Sequence, residues 1–272
     1  MNFSVLMSVY YREKPTALKR SMESIFSNTV LPSECVVVKD GPLTKELDSV
    51  IDEYKNKYPN IMKIVVNEKN LGLGKALAVG LSKCSNEIVA RMDSDDICAT
   101  NRFEKQLNIM AIKPKIAIVG SNIAEYDEKM SVKTGTRTVP QASQDIRKYA
   151  KKRNPFNHMT VMFRKTAVLG AGSYKDMPYF EDYYLWTRLL CKNQGYNIQE
   201  ELVKVRAGAG MIERRGGRKY IKSIINFEKT IHREGFISLL TMISNICIRS
   251  FVAIIPSGAR SSVYKKYMRK KD

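Results

Sequence analysis

Acidic residues are scarce in this 272-residue chain, and scarcest at its end. None stands between Glu234 and Asp272, while Arg249, Arg260, Lys265, Lys266, Arg269, Lys270 and Lys271 all fall there. Lys and Arg number 46 against 27 Asp and Glu, a formal charge of +19, and residues 201–272 alone carry +11 of it. Such an uneven excess calls for an anionic partner, usually nucleic acid or an anionic membrane leaflet. The five cysteines, Cys35, Cys84, Cys98, Cys191 and Cys247, form no CxxC or Cys/His metal spacing, so they read as reduced core residues. No basic segment precedes the first apolar stretch, MNFSVLMSVY, which excludes a signal peptide there and sets a cytoplasmic expectation. There is no internal repeat and no low-complexity segment. A hydrophobic fraction of 44% with 27% charged residues excludes global disorder and an all-membrane chain.

What is present is alternation. Short apolar, β-branched runs at 3–9, 34–38, 62–66, 87–92 and 116–119 have strand length, and segments of helical length separate them at 16–27, 43–58, 74–84 and 102–112. Strand-helix alternation predicts an α/β fold with a mainly parallel sheet flanked by helices, whose ligands gather at the carboxyl ends of the strands. The residues after each strand then become a map of the site: Tyr10-Tyr11-Arg12-Glu13, Lys39-Asp40-Gly41-Pro42 and Asp93-Ser94-Asp95-Asp96. From Gln141 the alternation loosens into a mixed half, with strands expected at 159–163 and 198–205, a turn at 170–172, and helices at 181–191 and about 218–234.

Residues 236–255 form an apolar stretch of bilayer-spanning length. Ser238, Thr241, Asn245 and Arg249 recur in it at spacings of three and four, so a helix would gather them into one stripe opposite a broad apolar face. That pattern favours an interfacial or bundle-packed helix, with Arg249 snorkelling to the surface, over a spanning one. The basic cluster at 265–271 would then rest on anionic headgroups. The division expected is a catalytic domain at 1–210 and a basic, helical, membrane-associating extension at 211–272. Because the charge sits beside an apolar helix rather than among aromatics on a sheet, nucleic acid is not expected as a partner.

The most informative ten residues are EIVARMDSDD. Asp93 and Asp95, one residue apart beyond a strand end, can converge on a hard divalent cation that also holds phosphate oxygens. A nucleoside diphosphate leaves poorly without such neutralisation. The plain reading is that Asp95 or Asp96 caps the helix starting near residue 100–102.

The segments FSVLMSVYYREKP, VVVKDGPL, NLGLGKALAVGL, VARMDSDDICATNRFEKQ and YFEDYYLWTRLL, in that order, resemble family 2 glycosyltransferases of the GT-A fold, in particular the bacterial enzymes that build O-antigen, capsule and exopolysaccharide repeat units. The resemblance spans about residues 3–205. It implies that Asp40 bonds the uracil edge, where an Asx-turn before Gly41 is the alternative. Lys39 and Pro42 depart from the common Asp-Asp-Gly-Ser form of that loop. It implies a nucleotide-side loop at Asn70–Lys75, in which Gly74 allows close backbone approach and Lys75 reaches a phosphate, or is a solvated lysine. Arg91 is expected to pair with Asp93 or its neighbours, more as a structural than a catalytic group. His158 stands where relatives commonly carry a histidine, either touching the diphosphate or metal or serving structure, and Tyr10 borders the uracil or packs.

Glu181-Asp182 matches the family's acidic pair at the start of an acceptor-side helix. Asp182 is then the general base and Glu181 orients the acceptor, whereas the bland alternative is that both acids merely complement the helix dipole. The resemblance thus implies an inverting transfer, dependent on Mn2+ or Mg2+, from a UDP-sugar to a polyprenyl-diphosphate-linked saccharide. Glucose or galactose is favoured as the donated sugar, with an N-acetylhexosamine next, and the enzyme would sit on the inner face of the cytoplasmic membrane. A sugar nucleotidyltransferase is the other enzyme class in view. Such enzymes open with a glycine-rich loop after the first strand, where this chain reads SVYYREKP.

Overall fold

The computed structural model describes residues 1–206, 216–256 and 258. The basic cluster at 265–271 lies outside the described residues. Nine strands form one sheet: β1 Phe3–Val9, β2 Glu34–Asp40, β3 Met62–Asn67, β4 Ile88–Arg91, β5 Ile97–Cys98, β6 Ile116–Tyr126, β7 Lys133–Arg137, β8 Met162–Arg164 and β9 Gln194–Arg206. Their order is β3-β2-β1-β4-β8-β6-β9-β5, with β7 paired to β6. Strands β1 to β4, β6 and β9 share one direction, while β8, β5 and β7 oppose it. The expected mixed, mainly parallel sheet is therefore present.

Direction is what builds the site. The six co-directional strands deliver their carboxyl ends, and so Tyr10, Asp40, Asp93 and Arg206, to one edge. Strand β8 runs the other way, so its start, with the 3-10 turn His158–Thr160 just before it, arrives at that same edge.

Helices cover both faces of the sheet. On one pack α1 (Pro15–Phe26), α2 (Lys45–Lys57) and α4 (Arg102–Ile112). On the other pack α3 (Leu73–Lys83), α5 (Ser143–Ala150), α6 (Lys165–Gly170) and α7 (Glu181–Lys192). The local reasons are ordinary ones. Pro15 opens α1, where its missing N–H costs nothing. Thr44 caps α2 by accepting from the Leu47 amide, and acids in its first turn with lysines in its last suit the dipole. Strand β1 is buried on both faces, sending Phe3, Val5, Met7 and Val9 to one core and Leu6 to the other. Trp186, fully buried among Phe156, Phe163 and Tyr174, anchors α7, and truncating it to Ala would cost about 3–5 kcal/mol.

Strands β5 and β7 and helices α5 and α6 had no counterpart in the alternation pattern, since each is short. Of the five cysteines, Cys35, Cys84 and Cys98 are buried as expected, but Cys191 and Cys247 are exposed.

The last two helices, α8 (Gly217–Arg233) and α9 (Leu239–Ile254), pack on the flank of α7 through Ile224, Phe227 and Ile231 against Phe180, Tyr183 and Tyr184. Helix α9 corrects one expectation, the snorkelling of Arg249 to the surface. At 16 residues it is shorter than the 20-residue stretch, and no helix among the described residues is long and apolar enough to cross a membrane. Its polar stripe also points inward, not outward. Asn245 donates to Glu228 at 2.9 Å and to the Lys151 carbonyl at 2.9 Å. Arg249 does not snorkel to solvent: its Nε lies 3.3 Å from Glu228 and an Nη donates to the Lys152 carbonyl at 2.9 Å. The reason is that Glu228 is wholly buried on α8, and a buried carboxylate is tolerated only when paired. Ser238 instead caps the helix. Turning the stripe inward leaves Leu239, Leu240, Ile243, Ile248, Phe251 and Ile254 on the outside, with Leu240 80% and Ile254 72% exposed.

Candidate active site

Three carboxylates follow β4 within one turn. Asp93, Asp95 and Asp96 each present an oxygen within 4.8 Å of the other two. A set of hard oxygen donors this close fits a divalent cation of the Mg2+ or Mn2+ type, and Asp96 Oδ2 is buried without a hydrogen-bond partner in the described structure. Close packing of like charge is otherwise costly, and the protonation equilibria record it. Burial, and then Asp93, push Asp95 above the usual carboxylate range, and burial with Asp93 and Asp95 pushes Asp96 well above it.

Arg91, Arg206 and His158 of the chain itself surround the cluster. Arg91 is fully buried beneath it and pairs with Asp93, as expected. His158 Nε2 lies 3.5 Å from the other oxygen of Asp93. Arg206, the last residue of β9, places its Nη2 2.8 Å from Asp95 and 2.9 Å from Glu13, while its backbone N–H donates to Asp96 at 3.1 Å. Glu13 also accepts from Ser94 at 3.0 Å. Burial works against the charge on Arg206, but Asp95 and Glu13 outweigh it and raise the guanidinium above its ordinary value. Neither Asp95 nor Asp96 caps α4. That helix starts after Asn101 with no side-chain cap, and Asp96 spends its Oδ1 on Arg206.

At the end of β2, Asp40 is buried and both its oxygens are in use. Asn67 donates to Oδ1 at 3.0 Å, the Leu71 amide to Oδ1 at 2.9 Å and the Gly72 amide to Oδ2 at 3.1 Å. It is thus a clamp on the 67–72 loop rather than a local Asx-turn. Gly41 belongs to the same joint: its φ is +88°, and a Cβ there would meet the Asn70 nitrogen at 2.7 Å. Asn70 returns a bond to the Asp40 carbonyl at 3.3 Å. Lys75 reaches Asp176 at 2.8 Å, an exposed pair worth at most about 1 kcal/mol and easily given up. Tyr10 stands exposed after β1, its ring edge-on to Tyr11, and is not core packing.

The pair Glu181-Asp182 opens α7. Asp182 Oδ2 accepts from Asn154 Nδ2 at 2.7 Å. Glu181 packs its side chain against Gly74 at the start of α3, where an added Cβ would meet Glu181 Cγ at 2.8 Å. Burial lifts the Glu181 carboxyl above its usual value, and the neighbouring Asp182 adds to that. Every candidate site residue singled out in the sequence therefore lies toward one edge of the sheet. Sequence reasoning did not single out Arg206 or Asn154. Arg206 carried one signal, its place at the end of a co-directional strand.

A doubly covered sheet with an acidic cluster after its fourth strand and a second carboxylate pair on a facing helix is the plan of a sugar-nucleotide-dependent transferase of the GT-A fold. The profile described as glycosyl transferase family 2 matches residues 4–170, and the chain belongs to that family and is a glycosyltransferase. It is 40% identical over 268 residues to the amylovoran biosynthesis glycosyltransferase AmsE of Erwinia amylovora, covering 97% of this chain and 98% of that one. It is also 40% identical over 269 residues to the UDP-Gal:alpha-D-GlcNAc-diphosphoundecaprenol beta-1,3-galactosyltransferase of Escherichia coli, covering 98% of this chain and 97% of that one. Among solved structures, S. aureus TarS 1-349 in complex with UDP-GlcNAc shares the fold at a TM-score of 0.63 and 15% identity, over 98% of this chain and 71% of that one. The mannosyltransferase PcManGT from Pyrobaculum calidifontis, in complex with GDP-Man and Mn2+, does so at 0.65 and 14%, over 98% and 75%. Membership in this family removes the nucleotidyltransferase alternative.

Proposed function

We propose that this chain is an inverting galactosyltransferase that carries galactose from UDP-galactose to a hydroxyl of a saccharide linked to polyprenyl diphosphate. The observation that carries the reading is the gathering of Asp93, Asp95 and Asp182 on one sheet edge, with Asp182 partly exposed and, among the described residues, its Oδ2 alone bonded by Asn154. Near-full-length similarity to a UDP-Gal-dependent relative ranks galactose ahead of glucose and of the N-acetylhexosamines.

In this reading Asp182 takes the proton of the acceptor hydroxyl as that oxygen attacks the anomeric carbon, the bond to UDP breaks on the opposite side, and the single displacement inverts the centre. Asp93 and Asp95 would hold a divalent cation, Mn2+ or Mg2+, whose charge offsets that of the leaving diphosphate. Arg91 and His158 set the orientation of Asp93. The 67–72 loop clamped by Asp40, with Tyr10, Asn70 and Gly74 around it, receives the nucleotide, and Asp40 itself offers a uracil only the remaining lone pair of Oδ2. Lys75 leaves Asp176 for a phosphate oxygen, and Glu181 orients the acceptor.

UDP release from a panel of UDP-glucose, UDP-galactose, UDP-GlcNAc and UDP-GalNAc, with Mn2+ and a synthetic lipid-diphosphate acceptor, tests this. UDP-galactose should be turned over fastest and Asp95→Ala should lose at least 100-fold. Full activity of that variant would remove the cation from Asp95.

The extension at 211–272 is read as the part that meets the inner, anionic face of the cytoplasmic membrane. Helix α9 presents six apolar side chains outward, and through its inward polar stripe it is bonded to the turn Lys151-Lys152-Arg153, which carries three exposed cations. Each such charge adds on the order of 1 kcal/mol at an anionic surface. In vesicle flotation the protein should rise with phosphatidylglycerol-rich vesicles, and a Leu240→Ser, Ile248→Ser, Phe251→Ser variant should stay behind. Equal flotation of that variant would take α9 out of the contact.

A further inference from the structure

Asn154 is the one described side chain that hydrogen-bonds the Asp182 carboxylate, and everything around it fixes which way its amide faces. Its Nδ2 donates to Asp182 Oδ2 at 2.7 Å, while its Oδ1 accepts from the Phe156 amide at 3.3 Å. That second bond settles the amide orientation, because exchanging the two ends would place an N–H against an N–H and an oxygen against a carboxylate.

The backbone is held just as firmly. Pro155 confines Asn154 to extended conformations. Arg137 donates to the Asn154 carbonyl at 3.1 Å, and Asn197 donates to the Pro155 carbonyl at 3.1 Å. Phe156 is fully buried with its ring 5.8 Å from that of Trp186, which rides on the same helix as Asp182. Immediately before Asn154, the carbonyls of Lys151 and Lys152 are gripped by Asn245 and Arg249 of α9. Asn157 donates to the Ser121 carbonyl at 2.8 Å, and His158, the last residue of the segment, faces Asp93. Five consecutive residues, Asn154 to His158, thus touch the base at one end and the diphosphate-side carboxylate at the other.

We infer that Asn154 is the positioning residue of the base: its amide occupies Oδ2 of Asp182, so that Oδ1 is the oxygen left to face the acceptor hydroxyl. This rests on the reading of Asp182 as the base. A carboxylate with both oxygens free rotates about its Cβ–Cγ bond and meets the hydroxyl in only part of its orientations. One bonded to a fixed amide does not rotate, and misplacement of a reacting group by about 1 Å costs on the order of 100-fold. The logic is that of a base held by a third group.

The test is the pH profile of UDP-galactose turnover with a soluble acceptor for three variants. Asn154→Ala should lower kcat about 10- to 100-fold and leave the donor KM within about twofold. Asn154→Asp, of the same shape, sets a second carboxylate against Asp182, and the two must share a proton. The acidic limb of its kcat/KM profile should move up by at least about one pH unit. Asp182→Asn should be inactive at every pH, and its survival would overturn the base reading itself. An inactive Asp182→Asn beside an Asn154→Ala of parental kcat, or an Asn154→Asp whose acidic limb stays in place, would overturn the positioning role alone. A thermal midpoint for each variant separates loss of function from loss of fold.

Discussion

Two regions of this molecule pair carboxylates with arginine, and they do it differently. Between α8 and α9, Arg249 pairs with the wholly buried Glu228, and its guanidinium lies over the rings of Phe180, Tyr183 and Phe227 at 5.7, 5.4 and 5.8 Å. The pair is closed by Asn245 and by backbone carbonyls. At the sheet edge, Arg206 pairs with Asp95, which remains partly exposed, and shares itself with Glu13. The first arrangement leaves nothing for a ligand to take. The second has an acidic cluster whose charge Arg206 only partly covers, and a stronger cation can replace a guanidinium there. A difference in closure, with the same chemistry, separates a joint from a site.

The largest effect is expected at the joint. Glu228→Ala leaves Arg249 uncompensated, and a urea titration should find stability lower by about 3 kcal/mol, with a Glu228→Ala, Arg249→Met double variant recovering part of it. An unchanged midpoint would mean that the pair is not what holds α9. A smaller effect is expected at the site. Arg206→Met should bind Mn2+ more tightly without nucleotide, by roughly three- to tenfold, since a charge-assisted bond of about 1.5–3 kcal/mol no longer competes and Asp95 is partly solvated. Calorimetric titration reads this, and equal affinities would show that Arg206 does not compete.

The smallest effect concerns pH. Burial raises the Glu228 carboxyl above its model-peptide value of 4.5, with Arg249 and Asn245 opposing. The folded chain therefore keeps this proton where the unfolded chain has lost it. The group's stabilisation is complete below that ordinary value and is lost as pH rises through the raised one. The thermal midpoint of Glu228→Gln, relative to the parent, should accordingly climb as pH rises from about 4.5 towards 7. A flat difference would contradict the raised value.

Much of this was legible in the sequence because it is local. The strand at Phe3–Val9 and the helix at Arg102–Ile112 follow from composition and period alone, and the acidic run announces itself within four residues. What could not be read depends on contacts across long separations. Arg206 meets Asp95 over 111 positions, and Asn154 meets Asp182 over 28. The inward turn of α9 was hidden for the same reason. Periodicity places Asn245 and Arg249 on one stripe but says nothing of a buried Glu228 waiting on another helix. Asp40 shows the limit from the other direction: its place at the strand end was evident, but its three donors come from a loop about 30 residues on.

One further consequence follows from Gly74. Helices α3 and α7 meet where this glycine faces Glu181, and the space between them would leave a methyl group only 2.8 Å from that side chain. The spacing of the two halves is thus gauged by the thickness of bare backbone. A single added carbon would act as a wedge between α3 and α7, displacing Glu181 and the start of α7 without changing the charge of any residue.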